Sequence, residues 1–273
     1  MSAVPLPAAP PLAPFDTIAE TYDEVFTDSV IGRAQRASVW RELDGSFHRG
    51  QRILDLNCGT GVDAAYLAAG GVEVLACDIS AGMLAVARRR LASLPLPAPV
   101  RLRRMATEEL ACLRDEAPFD GAMSNFGGLN CIADLQPVAQ DLARLLRPGA
   151  RAVICLMGRC VAWEIAVFAL RGRAREGFRR LAPGPVYVRL GKQRVPCWYP
   201  AVSALRRAFD PHFRLLRWKG VGVTVPPSYL ERQARRFPRV IRGMGKADLW
   251  LGRLPLLRAL ADHYLLTFER VRT

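Results

Sequence analysis

Ile53-Leu54-Asp55-Leu56-Asn57-Cys58-Gly59-Thr60-Gly61-Val62-Asp63-Ala64-Ala65-Tyr66-Leu67-Ala68 decides the fold. A short apolar run (Ile53, Leu54, Leu56) enters a turn marked by Gly59 and Gly61, and small and apolar residues then repeat at helical spacing. Strand, glycine turn and helix together place free backbone N–H groups and a close-approach site at one end of a sheet. Asp55 stands at the end of the strand. About 20 residues on, a second strand, Val72–Cys77, ends in Asp78, where a nucleotide-binding α/β fold sets an acid against ribose hydroxyls. Two ligands fit. Gly59-Thr60-Gly61-Val62-Asp63-Ala64 satisfies the dinucleotide pattern G-x-G-x-x-G/A, which leaves a nicotinamide oxidoreductase open. Asp55 favours the other: an acid beside the turn repels a pyrophosphate and suits a cationic amino acid with a sulfonium centre.

Outward from this stretch the elements alternate. Ala81–Leu94 reads as a helix, closed by Pro95, Pro97 and Pro99. Val100–Met105 reads as a third strand, and Phe119–Asn130 as a fourth strand with the loop beyond it. Asp134–Leu146 reads as a helix that turns at Arg147-Pro148-Gly149 into a fifth strand, Arg151–Met157. Phe213–Val221 and Tyr264–Arg270 supply two more. The expected fold is α/β: a Rossmann-like seven-stranded sheet, mostly parallel with the last strand antiparallel, carrying helical and hairpin lid insertions. Residues 1–14, rich in Pro and Ala, read as a disordered N-terminus without the basic start and apolar run of a signal peptide. Residues 15–158 form the cofactor-binding core with N-terminal cap helices. Residues 159–212 are an insertion, with a helix over Cys160–Leu181 and a hairpin around Gly191-Lys192-Gln193. Residues 213–273 hold the last two strands and a second lid insertion, 226–262.

The chain of 273 residues has a formal net charge of +14, and only three of its 39 basic residues are lysines. Such an arginine skew partly reflects base composition; the remainder suits an acidic substrate, nucleic acid or an anionic membrane surface. The seven cysteines never fall in a C-x-x-C spacing, which points to buried thiols in a reducing, cytoplasmic setting. The three histidines are far apart in the chain, so no metal site is expected. No run of about 18 apolar residues suggests a spanning helix.

Leu54–Gly61 resembles the first motif of class I S-adenosylmethionine-dependent methyltransferases, and Cys77-Asp78-Ile79-Ser80-Ala81-Gly82-Met83-Leu84 resembles their second. Phe15–Asp23 is similar to the entry segment of the group that includes the quinone C-methyltransferases and glycine N-methyltransferase. The resemblance implies S-adenosyl-L-methionine as cofactor, with Asp55, Asn57, Gly59, Gly61, Asp78, Ile79 and Met83 along it. It implies that Tyr22 lies over the cofactor and that Arg33 pairs with its carboxylate, Arg36 being the competitor one turn away. The Gly-Asp pair that usually follows the third strand is missing. Met105 and Ala106 stand there, so backbone groups and apolar packing are expected to hold the adenine. Asn125 and Phe126, at the end of the fourth strand, are expected near the transferred methyl group.

Methyl transfer is an in-line displacement that needs alignment and exclusion of water, plus a base when the acceptor's pKa is high. The candidates for the catalytic role are Tyr22, Asn130 and His263, none assigned. The expected function is methylation of N, O or C on a small-molecule acceptor: a secondary metabolite, a quinone or a lipid-like molecule. An RNA methyltransferase is the alternative, favoured by the charge and opposed by the absence of an Asp/Asn-Pro-Pro-aromatic motif after the fourth strand. Peripheral contact with an anionic membrane and self-association are both compatible with the sequence.

Overall fold

A computed structural model describes residues 13–191 and 193–272. Seven strands form one sheet in the order β3-β2-β1-β4-β5-β9-β8. They are β1 (Arg52–Leu56), β2 (Glu73–Asp78), β3 (Val100–Arg104), β4 (Phe119–Ser124), β5 (Leu146–Met157), β8 (Phe213–Val221) and β9 (His263–Arg270). All run parallel except β9, which is antiparallel to both β5 and β8. A separate hairpin pairs β6 (Val186–Leu190) with β7 (Gln193–Cys197).

The helices are α1 (Ala19–Tyr22), α2 (Val30–Asp44), α3 (Val62–Ala69), α4 (Ala81–Ala92), α5 (Gln136–Leu145), α6 (Ala162–Leu170), α7 (Ala174–Gly177), α8 (Val202–Phe209), α9 (Glu231–Ala234), α10 (Pro238–Leu251) and α11 (Pro255–Arg258). The single helix expected over Cys160–Leu181 is broken after Leu170, where Gly172 takes φ +71°. The fifth strand starts five residues earlier than expected, because Leu146 pairs with Phe119 before the register shifts.

Period-two alternation splits the core between the faces of the sheet. Leu54 and Leu56 pack with Leu75, Phe119, Leu142 and Phe268 on one side. Ile53 packs with Val74, Met123 and Val153 under Val39 and Leu43 of α2 on the other. Asp55 has the parity of Ile53 and so points to the side covered by α2 and α3. Neighbour order reverses between β1 and β4, which opens a crevice at the C-terminal strand ends. The sequence expectation of disorder through residue 14 holds no structural test over residues 1–12, which lie outside the described residues. Ala13 and Pro14 are placed: Ala13 is buried, and Pro14 opens a 3₁₀ turn through Ile18 that docks on α4.

Candidate active site

The turn after β1 builds the floor of the crevice. Asn57 adopts φ +57° and Gly59 φ +54°. A Cβ on Gly59 would meet nothing within 4 Å, so open space stands directly over its backbone. Gly61, at φ +74°, serves packing instead: its Cβ would strike Ala87 of α4 at 2.9 Å. The side chain of Asn57 is braced, donating to Thr107 Oγ1 (2.8 Å) and accepting from Ser124 Oγ (3.1 Å). Phe126, after β4, is the other non-glycine residue with positive φ among the described residues, at 48°. Two left-handed non-glycine residues on neighbouring strand ends mark a constrained site.

Asp78 closes the end of β2. Its Oδ2 accepts from Gly59 N (2.9 Å) and its Oδ1 from Ser80 N (2.8 Å). Each oxygen keeps a second lone pair for ligand hydroxyls. Burial raises its pKa, against the lowering effect of these N–H donors. Asp16 fastens the N-terminal segment over the same turn. Its Oδ1 accepts from Ser80 Oγ (2.5 Å) and Gly82 N (2.9 Å), and its Oδ2 from Ala13 N. A cavity of about 280 Å³ results, walled by Phe15, Ile79, Met83 and Ala106 at one end and by Tyr22, Asn125 and Phe126 at the other.

Behind that second end lies an acidic knot. Asp63, in the first turn of α3, accepts from Arg36 Nη1 (2.5 Å), Trp40 Nε1 (2.7 Å) and Asn125 Nδ2 (2.8 Å). Asp55 is buried, and its Oδ2 has no partner. Desolvation drives its pKa well up, and the carboxylates of Asp63 and Asp78 add to this against Arg36. Asp63 and Asp78 add negative charge beside Asp55, and only Arg36 opposes it, so the charged form of Asp55 is disfavoured until a cation arrives. An ammonium or sulfonium group would relieve Asp55, whereas a pyrophosphate would worsen it. The residues therefore fit S-adenosylmethionine and fit a dinucleotide poorly.

Of four aromatic rings in series here, Tyr22 and Phe126 line the cavity, and Phe26 and His263 pack behind them. Tyr22, Phe26, Phe126 and His263 follow one another with ring centroids 5.9, 4.9 and 5.2 Å apart. The Arg36 guanidinium lies 4.8 Å from the Phe126 centroid. Burial pushes the Tyr22 hydroxyl up to about 12, so it stays protonated near neutrality. His263 is buried, with Nδ1 3.5 Å from Asp262 Oδ2. Burial lowers its pKa against the pull of Asp262, which keeps the imidazole neutral and able to take a proton.

The structure gathers Tyr22, Asn57, Gly59, Asp78, Ile79, Met83, Ala106, Asn125 and Phe126 around one cavity. It does not bring Arg33 there. Arg33 is exposed and lines the groove between α2 and α10, and Arg36, one turn on, points inward in its place. Met105 turns into the core beside Leu75 and Cys77. The Ala106 N–H donates to Glu109 Oε2 (2.8 Å) and the Met105 N–H to Asp78 O (3.0 Å), so neither is free for an adenine ring. Asn130 is fully buried and spent: it donates to Trp198 O (2.7 Å) and accepts from Met157 N (2.8 Å), tying β7 to the end of β5. It cannot face an acceptor. Asp63 and Asp16 were not singled out in the sequence. Asp63 had a local signal, an acid two residues after Gly61 at the start of a helix.

The strand order, the switch-point crevice and the acidic glycine turn define a class I methyltransferase fold. Residues 53–149 match the family model described as a methyltransferase domain. The chain is similar to the demethylmenaquinone methyltransferase of Clavibacter sepedonicus, 36% identical over 143 residues, which cover 52% of this chain and 56% of the relative. The chain thus spans about half the length of that relative. A demethylmenaquinone methyltransferase from Mycobacterium sp. (strain KMS) is 29% identical over 214 residues, 76% of this chain and 86% of the relative. Among solved structures, an S-adenosylmethionine-dependent methyltransferase from Clostridium acetobutylicum superposes with a TM-score of 0.60 at 12% identity, covering 94% of this chain and 99% of that one.

Proposed function

We propose that the protein is an S-adenosylmethionine-dependent methyltransferase whose acceptor is a small, largely apolar ring compound of the quinol type, methylated on the ring. One observation carries this most: the buried Asp55 carboxyl, whose Oδ2 has no partner, at the end of the strand that leads into the open backbone of Gly59. The names of the curated relatives support the acceptor class, as do the rings of Tyr22 and Phe126 on the cavity wall.

When bound, the cofactor supplies an electrophilic methyl group on a sulfonium. Asp78 would hold the ribose hydroxyls. Phe15, Ile79, Met83 and Ala106 would enclose the adenine by apolar contact. The Asp55, Asp63 and Arg36 end would receive the amino-acid portion, with Arg36 available to its carboxylate and the acids to its ammonium. Tyr22 and Phe126 screen the transfer region from water. His263 accepts the acceptor's proton, and Asp262 steadies the resulting imidazolium. The N-terminal segment, the β6–β7 hairpin and residues 226–262 act as the lid that chooses the acceptor. Gly191 of the hairpin rests against Thr17, in support of this.

No helix among the described residues is long and apolar enough to cross a membrane. Seven free thiols support a reducing, cytoplasmic setting. Contact with an anionic membrane belongs to the same reading, since a quinone-like acceptor resides there. The test is transfer of labelled methyl from S-adenosylmethionine to a demethylated naphthoquinol, with phenols, amines and RNA as competitors. Incorporation into the quinol ring is expected; incorporation only into RNA, or none into any acceptor, overturns the proposal.

A further inference from the structure

Helix α2 presents two faces. Arg36 points inward to the candidate active site, while Arg33 and Arg41 point outward. The outward face meets α10, where Gly245 lets the helices approach: a Cβ there would sit 3.3 Å from that of Ala34. Between them runs a groove of about 480 Å³. Its rim carries the exposed Arg33, Arg41, Arg242 and Lys246, and its floor is formed by the half-buried Ala34 and Leu249, with Ala37 exposed beside them. Ser38 also lines it; this side chain is buried, and its hydroxyl has no hydrogen-bond partner.

Every acid on the elements around the groove is committed elsewhere. Glu42 of α2 pairs with Arg217 and Lys219, and Asp44 accepts from the Tyr66 hydroxyl. Asp248, the one acid of α10, turns inward to the N–H groups of Gly222, Val223 and Thr224. Glu231 of α9 accepts from Val30 N and Ile31 N and pairs with Arg235. The groove is therefore cationic at its rim, apolar at its floor, and holds one buried hydroxyl without a partner. Val240 and Trp250 on α10 stand exposed, as do Leu254 and Leu256 where the chain runs from α10 into α11, Trp250 at 74% and Leu256 at 82%.

We propose that the α2–α10 groove seats the headgroup of an anionic phospholipid at a membrane surface. The arginines and Lys246 take the phosphate, Ser38 donates to it, and the apolar floor lies along the start of an acyl chain. Trp250, Leu254 and Leu256 enter the interfacial layer. An RNA backbone would use the same cations, but exposed leucines and an apolar-floored groove gain nothing from it. The proposal names the surface for the membrane contact in the proposed function. It rests on none of the catalytic claims, because its readout is binding alone.

The test is sedimentation of the full chain with vesicles of phosphatidylcholine alone and with vesicles containing phosphatidylglycerol, at equal salt. Wild type is expected on the anionic vesicles only. Arg242→Glu with Lys246→Glu should weaken that binding by about tenfold or more, at about one Lys or Arg contact per fivefold. Arg171→Glu with Arg175→Glu makes the same charge change on exposed residues elsewhere and should stay within about twofold. Trp250→Ala with Leu256→Ala, which leaves the charge intact, should also weaken binding. Melting curves show that each variant is folded. Wild type failing to sediment with anionic vesicles overturns the proposal, as does equal loss in both charge-reversed variants. So does single-stranded RNA bound more tightly than vesicles through the same residues. Failure of methyl transfer with vesicle binding intact would count against the proposed function alone.

Discussion

Arg36 Nη1 lies 2.5 Å from Asp63 Oδ2, both side chains are buried, and the guanidinium lies against the ring of Phe126. This pair joins the cap helix α2 to the first turn of α3 and sets one wall of the crevice. Asp63 also receives Trp40 and Asn125, so it organises three elements at once.

Asp63→Ala should therefore cost about 3–5 kcal/mol, since it leaves a buried guanidinium without its partner. Denaturant unfolding measures this. A loss below about 1 kcal/mol would mean that Arg36 finds another partner or water.

The two arginines of α2 should separate cleanly. Arg33→Ala should leave the affinity for S-adenosylhomocysteine unchanged, because the side chain is outside the crevice. Arg36→Lys, which keeps the charge and loses the planar fork, should weaken it by about tenfold or more. Equal effects from the two substitutions would contradict the assignment.

That separation also shows what could be read from the sequence. The strand, glycine turn and Asp78 lie within one βαβ unit, so spacing alone placed them. Arg33 and Arg36 are a single helical turn apart, and the choice between them is set by the phase of α2 against α3 and α10, which no local pattern reveals. Asn130 reads as available in the sequence because its partners, Trp198 just after β7 and Met157 at the end of β5, are far from it in the chain. Backbone contact at the adenine end is what the sequence suggests, because the Glu109 carboxylate that occupies the Ala106 N–H lies in a 3₁₀ segment with no sequence signature.

The pH dependence follows from His263. Burial lowers its pKa below the ordinary 6.5, so the neutral form persists as pH falls through that value. The acid limb of kcat should lie below pH 6.5. His263→Gln should abolish the limb and lower kcat by about a hundredfold, with S-adenosylhomocysteine affinity retained. An unchanged pH–rate profile in the variant would remove His263 from the reaction.

Asp16 gives a second pH effect. Burial pushes its pKa up, but the hydrogen bonds from Ser80, Gly82 and Ala13 hold it below the ordinary 3.8. A depressed carboxylate contributes stability that is complete above that value and lost as pH falls through the folded one. Docking of the N-terminal segment should thus be intact at neutral pH and weaken only in strong acid. Asp16→Ala should undock it at neutral pH, seen as faster amide exchange across residues 13–22. Unchanged exchange would mean that Phe15 and α1 hold the segment without it.

The measurement that bears most directly on the central claim is calorimetric titration of S-adenosylhomocysteine into wild type and Asp78→Ala. About micromolar binding to wild type, weakened by about a hundredfold when two charge-assisted hydrogen bonds are lost, is the predicted result. No binding to wild type, with NAD bound instead, would contradict it.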